Sequence, residues 1–455
     1  MSGQSPALTQ RLADHLARPV PAAAAARAAL HVLDWAGCAV AGAASPAGRA
    51  VAAGLMAEGQ GRCAVAGSSR GASPLTAALI NGSLGNVLEM DDVDKRAILH
   101  PGPTVIPAAL AAAQSADLDA QAFLAAVVRG YEAVIRLGRA VGPGHYAFWH
   151  NTGTCGPFGA AAAAASAFRL DAEAFAEALA LAGTQASGFW QTRHEPASMA
   201  KQLHTARAAH AGLSAAMLAG AGMRGPLAVL EGPQGFFAAT CPDGDPGEVL
   251  AGDAARWRIE DVSFKPWPAC RHAHAAIDAA LMALEDGVKA DEIEAVELVT
   301  YADALTFCDQ PHPETTIQAK FSLQHSLAVT LLYGPPQLEH FDAEVFTREA
   351  VRSLAQSVTV KAGAPYDDRY PARYGAGVTV RTRQGEKSYD ASDALGDPEN
   401  PIPAARVAEK ARMLCLHGGF SAADADALVA AALGLSDGDP VSRFAAALAR
   451  PGRPA

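Results

Sequence analysis

The chain has 455 residues, half of them apolar, and its 47 acidic side chains against 36 lysines and arginines give a net charge of −11. This length predicts two domains, and the negative charge argues against nucleic acid or an anionic membrane as a partner. Seven scattered cysteines without a CxxC pair predict reduced thiols, a cytoplasmic protein and no zinc site.

The first part of the chain predicts a series of closely packed helices. Alanine dominates its apolar residues, and alanine favours helices and lets them approach closely. Charged residues interrupt the N-terminal stretch that would have to serve as a signal peptide, and no apolar run is long enough for a membrane span. Apolar residues at three- and four-residue steps predict helices over residues 23–43, 73–90, 105–116, 120–141, 170–183 and 205–222, with an alanine helix after Pro157.

The pattern changes near residues 243–260, where we place a domain boundary. Beyond it, strand-like and helical segments alternate, which is typical of a small α+β unit. The segments are strands at residues 262–265, 295–300, 358–361 and 378–382 and helices at 271–284 and 321–333. Helices return over residues 401–448, and we expect them to pack on the first domain.

A first polar cluster lies within residues 81–107, where Asp91 and Asp92 precede His100 in a His-Pro-Gly-Pro run. The two prolines of this run should hold His100 and Gly102 outside the helical region. A histidine fixed beside carboxylates suits proton transfer near neutral pH. The alternative is ordinary capping and turn chemistry at the surface.

Two further clusters stand at predicted helix starts. His150 begins the run HNTGTCG, and Lys201 and His204 frame the run KQLH. Backbone N–H groups at the first helix start are suited to an anion, and a buried Lys201 would need an acid, which a substrate carboxylate supplies. The alternatives are a capping loop that uses Asn and Thr, and a solvated lysine.

The fourth cluster, FKPWPACRHAH, places Lys265, Arg271, His272 and His274 at the predicted domain boundary. Such a concentration of polar groups indicates a cleft. The alternative is a polar helix end in which the two histidines cover neighbouring surface. Histidines two positions apart do not share a helix face and no acid completes a ligand set, so we predict no metal site. Cys155 and Cys270 are given no catalytic role, because cysteine is most often a small core residue.

Taken together, the clusters resemble those of the MmgE/PrpD family, which contains 2-methylcitrate dehydratases, cis-aconitate decarboxylases and iminodisuccinate epimerases. The resemblance covers nearly the whole chain and rests on the order and spacing of several motifs. They are the EMDD and HPGPTVIP runs within residues 81–107, HNTGTCG at 150–156, KQLH at 201–204, LEGPQGF at 230–236, FKPWPACRHAH at 264–274 and AKFSL at 319–323.

The resemblance implies a mainly α protein with a large all-helical domain, residues 1–262 with 396–455, and a smaller α+β lid domain, residues 263–395. It further implies a homodimer, an active site between the domains, no cofactor, and a small di- or tricarboxylate as substrate. By position, it assigns acid–base roles to His100 and His150, with Asp92, or Asp91 in its place, orienting one of them. The substrate-binding candidates are Lys201, Lys265, His204, Arg271, His272 and His274.

Cys270 departs from the decarboxylases of this family, which carry a histidine five positions after the lysine that Lys265 matches. We therefore expect a lyase that dehydrates a hydroxy-polycarboxylate, as in 2-methylcitrate dehydratase. Epimerisation of a dicarboxylate, decarboxylation of a cis-aconitate-like acid and non-catalytic carboxylate binding are the alternatives. A metal-dependent hydrolase is disfavoured by the lack of ligand spacing.

Overall fold

The structure is a computed structural model that describes residues 5–57, 59–195 and 197–452. The chain divides into two compact units: a first unit that extends to Val262 and resumes at Pro403, and a second unit, Ser263–Ile402. The second boundary was expected at residue 395. Residues 396–402 instead belong to the second unit, where the Gly396 carbonyl accepts a hydrogen bond from the Phe264 N–H at 3.1 Å.

Helices dominate the first unit. They run in chain order as α1 Leu8–Leu16, α2 Ala22–Ala43, α3 Pro46–Leu55, α4 Pro74–Leu84, α5 Gly102–Ala116, α6 Ala120–Ala140, α7 Pro143–Tyr146, α8 Asn151–Ala167, α9 Ala172–Gly183, α10 Ala200–Gly220 and α11 Phe236–Thr240, and then, after the second unit, α19 Ala404–His417, α20 Ala422–Gly434 and α21 Val441–Leu448. Short 3-10 turns, including Trp190–His194 and Arg258–Asp261, connect some of them.

Helix α8 lies at the centre of this unit and packs against α5, α6 and α10. Its alanines are buried, and small residues on its neighbours allow the backbones to approach. A Cβ added at Gly212 of α10 would lie 2.4 Å from the Ala160 Cβ of α8, closer than carbon atoms can pack. The close packing that the alanine run predicts is therefore confirmed.

The first unit was expected to be all-helical. That expectation is wrong, because the unit contains an antiparallel hairpin of β1 Gln60–Val65 and β2 Ser68–Ala72. Gly67 closes its turn with φ +69°, a conformation that glycine adopts without a steric penalty. The hairpin is held to the helices by Asn81, whose Oδ1 accepts from the Ala66 N–H at 3.0 Å. Its glycines, serines and arginines do not alternate with apolar residues, so the sequence pattern misses it.

Several helix starts also differ from those expected. Helix α5 begins at Gly102 rather than at Val105, so the prolines do not hold Gly102 outside the helix. Pro103 lies in the first turn, where the absent N–H has no helical partner to lose. Helices α8 and α10 also begin earlier than expected, and Pro157 lies inside α8. The His150 and Lys201 clusters consequently stand at the first turns of long helices.

The second unit is α+β, with a four-stranded sheet in the order β4-β3-β5-β6. Strands β3 and β4 are parallel, and the other neighbouring pairs are antiparallel. Residues 262–265, which were expected to form a strand, contribute only an isolated bridge residue at Ser263. The elements are α12 His274–Glu285, β3 Ile293–Thr300, α13 Ala302–Cys308, α14 Thr316–Lys320, α15 Leu323–Tyr333, α16 Ala343–Phe346, α17 Glu349–Gln356, β4 Val358–Ala362, α18 Tyr366–Arg369, β5 Ala376–Thr382 and β6 Gly385–Ala391.

Among the described residues, a single helix long and apolar enough to cross a membrane is not found. Helices α2 and α3 pass that length and composition test only when taken together, across a bend of 84°.

Candidate active site

The His100 loop, residues 85–101, connects α4 to α5 in the first unit. Asp94 closes it: its N–H donates to the Leu99 carbonyl at 3.0 Å, and its Oδ1 accepts from the Ala97 N–H at 2.7 Å. Ile98, between Ala97 and Leu99, has φ +50°. This conformation is rare for a β-branched residue and persists only where the surroundings enforce it. These contacts fix the backbone that leads into His100.

The His100 imidazole has two acceptors at one nitrogen. Its Nδ1 lies 2.9 Å from the Asp91 Oδ2 and 3.1 Å from the Asp92 carbonyl oxygen. A carboxylate and a carbonyl both accept, so Nδ1 must carry the hydrogen and Nε2 is left as the basic nitrogen. The side chain is 12% exposed. This tautomer is the one that a general base needs.

Asp91 and Asp92 have different partners, although they are adjacent. Asp91 contacts His100 and also accepts from the Asn86 amide at 2.8 Å, whereas the Asp92 carboxylate contacts His31 and Tyr131. Neighbouring side chains of a non-helical segment point to different sides. The carboxylate on His100 is therefore that of Asp91, which the sequence analysis placed second to Asp92.

His150 is the N-cap residue of α8, and its ring lies 6.4 Å from that of His100, centroid to centroid, at an interplanar angle of 71°. Its Nδ1 is 3.2 Å from the Nδ1 of His204, and the Trp190 ring stacks obliquely at 4.5 Å. Burial, followed by the charge of Lys201, lowers the pKa of His150 well below 6.5. Burial likewise lowers the pKa of His204 to about 4. His150 and His204 are thus neutral imidazoles at pH 7.

Two side chains in the first turn of α8 hold the His100 loop rather than capping the helix. Asn151 donates from Nδ2 to the Ala97 carbonyl at 2.8 Å, and the Thr152 Oγ1 accepts from the His100 N–H at 3.0 Å. The capping interpretation is therefore wrong for these residues. They join the two predicted histidine clusters into one.

Lys201 lies in the first turn of α10 and is not a solvated lysine. Its side chain is 13% exposed, and its Nζ forms an ion pair with the carboxylate of Glu89. Glu89 itself has φ +58°, a left-handed conformation that costs free energy and marks a constrained position. The acid that a buried lysine requires is thus supplied by the chain, from the same loop that carries His100.

In the second unit, Lys265 and Arg271 are buried. Arg271 forms an ion pair with Asp397, and its guanidinium lies 3.2 Å from the His274 Nδ1. The His274 Nε2 is 3.2 Å from the Ala269 carbonyl oxygen. His274 therefore belongs to the interior of this unit.

His272 is packed among aromatic rings, so the alternative in which it covers neighbouring surface is wrong. Its ring stacks on Phe307 and on Tyr374, with centroids 5.3 and 5.4 Å away. Its Nδ1 lies 2.7 Å from the Tyr301 hydroxyl. Burial, followed by the charge of Arg271, lowers its pKa to about 3. These contacts describe a core histidine with one satisfied hydrogen bond.

One acidic set in the second unit, formed by Asp393, Asp397 and Glu399, has oxygens within 4.8 Å of one another. Two of its members already balance cations, since Asp397 pairs with Arg271 and Asp393 pairs with Arg373 at 2.8 Å. The set is therefore explained by its arginines, and we assign it no metal.

Sequence reasoning missed four polar residues, namely Glu89 within the His100 loop and His31, Tyr131 and Lys410 packed against it. Lys410 is buried, and its Nζ donates to the Asp34 Oδ1 at 2.6 Å and to the Met90 carbonyl. His31 and Asp34 stand among the apolar residues of α2. Polar groups within a buried helix need partners, and this was the available signal.

Comparison with known proteins identifies the family of this chain. Residues 7–248 match the MmgE/PrpD N-terminal domain, and residues 267–435 match the MmgE/PrpD C-terminal domain. The cis-aconitate decarboxylase-like protein oryM of Aspergillus oryzae is 27% identical over 87% of both chains. The cis-aconitate decarboxylase of Aspergillus terreus is 25% identical over 87% of this chain and 86% of its own, and that of Mus musculus is 26% identical over 75% and 73%. These relatives are lyases, and the chain belongs to the MmgE/PrpD family.

Proposed function

We propose that the protein is a lyase that acts on a small di- or tricarboxylate by moving a proton at a carbon next to a carboxylate. The observation that carries this proposal is the His100 imidazole, held by Asp91 in its Nδ1–H tautomer, with the neutral His150 ring 6.4 Å away. A positioned imidazole of this kind contributes about 10²- to 10⁴-fold to proton transfer.

In the proposed reaction, the His100 Nε2 removes the proton from carbon, and the Asp91 carboxylate stabilises the imidazolium that forms, as a triad carboxylate does. His150 has a pKa well below 6.5 because it is buried, so it donates a hydrogen bond as a neutral imidazole rather than acting as a cationic acid. Such a donor stabilises charge on an enolate-like oxygen. The imidazolium then returns its proton to the leaving hydroxyl group, which departs as water.

Lys201 and Lys265 are the cations that we propose bind substrate carboxylates. Lys201 is already paired with Glu89, so a substrate carboxylate would share this lysine with the glutamate. His204 adjoins His150 and is proposed to contact substrate from there. Arg271, His272 and His274 are engaged inside the second unit, and we propose for them a supporting role only.

Loss of water is the reaction that we favour, and loss of CO₂ is the second candidate because the relatives named above are decarboxylases. Cys270 stands where the resemblance places a histidine in decarboxylases. The nearby imidazoles of His272 and His274 bond to Tyr301 and to the Ala269 carbonyl. We infer that imidazoles engaged in these contacts do not replace that histidine. Epimerisation needs the same proton removal and remains the third candidate.

The test is incubation with citrate, methylcitrate, aconitate, iminodisuccinate, tartrate and malate in deuterated water, followed by proton NMR. Exchange, elimination, decarboxylation and inversion each give a different spectrum. We expect solvent deuterium at the carbon next to a carboxylate, together with an alkene product. Thermal stabilisation by these acids without exchange or turnover would instead identify a carboxylate-binding protein and sink the lyase proposal.

Asp91→Asn is the informative variant in the same assay. It keeps the size of the side chain but removes the charge that stabilises the imidazolium, so kcat should fall by about 10²-fold. Unchanged kcat in Asp91→Asn would remove Asp91 from the mechanism. A chelator arm should leave turnover unchanged, and loss of turnover there would indicate metal chemistry.

A further inference from the structure

The Asp92 carboxylate is bonded by three groups from three different helices. Its Oδ2 lies 2.7 Å from the His31 Nδ1 of α2 and accepts from the Tyr131 hydroxyl of α6 at 2.6 Å. Its Oδ1 accepts from the Gly102 N–H, at the first residue of α5, at 2.9 Å. Asp92, His31 and Tyr131 are buried. We call this set of four residues the Asp92 anchor.

The anchor reaches His100 through the main chain. The carbonyl of Asp92 is the second acceptor of the His100 Nδ1–H, at 3.1 Å, so a carboxylate fixed from three sides also fixes the peptide group that the imidazole contacts. The fit is close at Gly102, where an added Cβ would lie 2.7 Å from the Asp92 Oδ1 and 3.1 Å from the Tyr131 hydroxyl. Only glycine leaves room for this arrangement.

Stability does not explain the anchor, because a buried carboxylate and its partners are often no more stable than well-packed apolar side chains of the same volume. Burial raises the pKa of Asp92 to about 6, although the Tyr131 and Gly102 hydrogen bonds oppose the shift. Burial also lowers the pKa of His31 well below 6.5. Burial of the Asp92 anchor therefore carries a desolvation cost. Such a cost is expected where a side chain of a functional site must be held in one geometry.

We propose that Asp92, His31 and Tyr131 are positioning residues that hold the His100 ring in one orientation, with its Nδ1 against the Asp91 carboxylate that selects the Nδ1–H tautomer. Asp91 supplies the charge at His100, and Asp92 supplies the geometry. The consequence for turnover rests on the proposed function, whereas the consequence for the tautomer does not.

The first test is nitrogen NMR of the full chain with ¹⁵N-labelled histidine, in which the His100 signals are identified by their loss in His100→Gln. We expect one tautomer with hydrogen on Nδ1 in the wild type, and a mixture of tautomers or broadened signals in Tyr131→Phe and Asp92→Asn. Tyr366→Phe is the matched control, because it removes a Tyr–Asp hydrogen bond, to Asp390, in the second unit. Its His100 signals should equal those of the wild type.

The second test is steady-state kinetics on the substrate found in the deuterium assay. Tyr131→Phe should lower kcat by about 10²-fold with KM within about threefold, since a small displacement of a catalytic group costs that much. Wild-type tautomer signals in both Tyr131→Phe and Asp92→Asn, with lowered stability alone, would overturn the proposal. If no substrate is turned over, the lyase proposal fails, but the tautomer measurement still decides whether the anchor positions His100.

Discussion

His100 in the first unit follows an acidic segment, and His272 in the second unit follows a proline-rich one. Both side chains are largely enclosed, but the groups that contact the two imidazole rings differ. The His100 Nδ1 faces a carboxylate and its side chain is 12% exposed. The His272 ring stacks on Phe307 and Tyr374, and its Nδ1 meets the neutral hydroxyl of Tyr301. A carboxylate stabilises the imidazolium, whereas an aromatic core opposes it. The partner, rather than the motif, decides which histidine can carry a proton.

Two cations, Lys201 in the first unit and Arg271 in the second, also differ in their partners. Lys201 pairs with Glu89 on the loop that carries His100, whereas Arg271 pairs with Asp397 inside the second unit. A lysine is a mobile point charge that can be shared with an incoming anion, and a buried arginine fork is held more rigidly. Of these two cations, Lys201 is therefore the more adaptable one.

The largest effect is expected for His100→Gln, which tests whether His100 is the histidine that transfers a proton. Because the proposed base is lost, kcat/KM for the substrate should fall by about 10³-fold, while the free energy of unfolding changes little. The matched control is His325→Gln, since His325 is a buried histidine of the second unit that bonds to the His340 carbonyl at 2.9 Å. Near-wild-type turnover in His100→Gln would contradict the assignment of His100.

An intermediate effect, on the free energy of unfolding rather than on turnover, is expected for His272→Phe. The ring stacking is kept, but the Tyr301 hydroxyl loses its partner at 2.7 Å, which should cost about 1–3 kcal/mol of unfolding free energy. Urea unfolding at pH 7 measures it. A wild-type unfolding curve would mean that His272 is not a core histidine, and the contrast with His100 would no longer hold.

The smallest effect concerns pH. The pKa of His272 falls from 6.5 in an unfolded chain to about 3 because of burial, so below pH 6.5 the unfolded state binds the proton first and stability decreases. The pKa of Asp92 rises from 3.8 to about 6, mainly through burial, so the folded state binds its proton first and stability increases as pH falls from 6 to 3.8. Measured between pH 7 and pH 5, His272→Phe should flatten the loss of stability, and Asp92→Asn should steepen it. Equal slopes in both variants would contradict these opposite signs.

Much of the fold follows from local pattern. The apolar periodicity predicts α2 and α6 almost to the residue, and the alternation of β3 marks it as a strand. The hairpin of β1 and β2 and the charged edge strand β6 escape, because neither alternates clearly. Strands β2 and β6 are largely exposed, and the buried half of β1 is a continuous Cys-Ala-Val run rather than an alternating one.

The candidate site was predicted less completely than the fold. Motif order and resemblance brought His100, His150 and Lys201 forward together, but the carboxylate at the His100 Nδ1 is that of the second-ranked Asp91, and His31 was missed. His31 contacts Asp92 from 61 positions away in sequence. A local motif carries no information on such a partner, since the contact exists only after α2 has packed.

The bond from Lys410 to the Met90 carbonyl joins residues 320 positions apart. Lys410 follows the whole second unit in the chain, so a ribosome must synthesise residues 263–402 before the loop that carries Asp91 and His100 can receive this contact. Until Lys410 has been synthesised, the buried Asp34 of the first unit lacks its ion-pair partner. The His100 loop therefore receives this contact only after residues 263–402 have been synthesised.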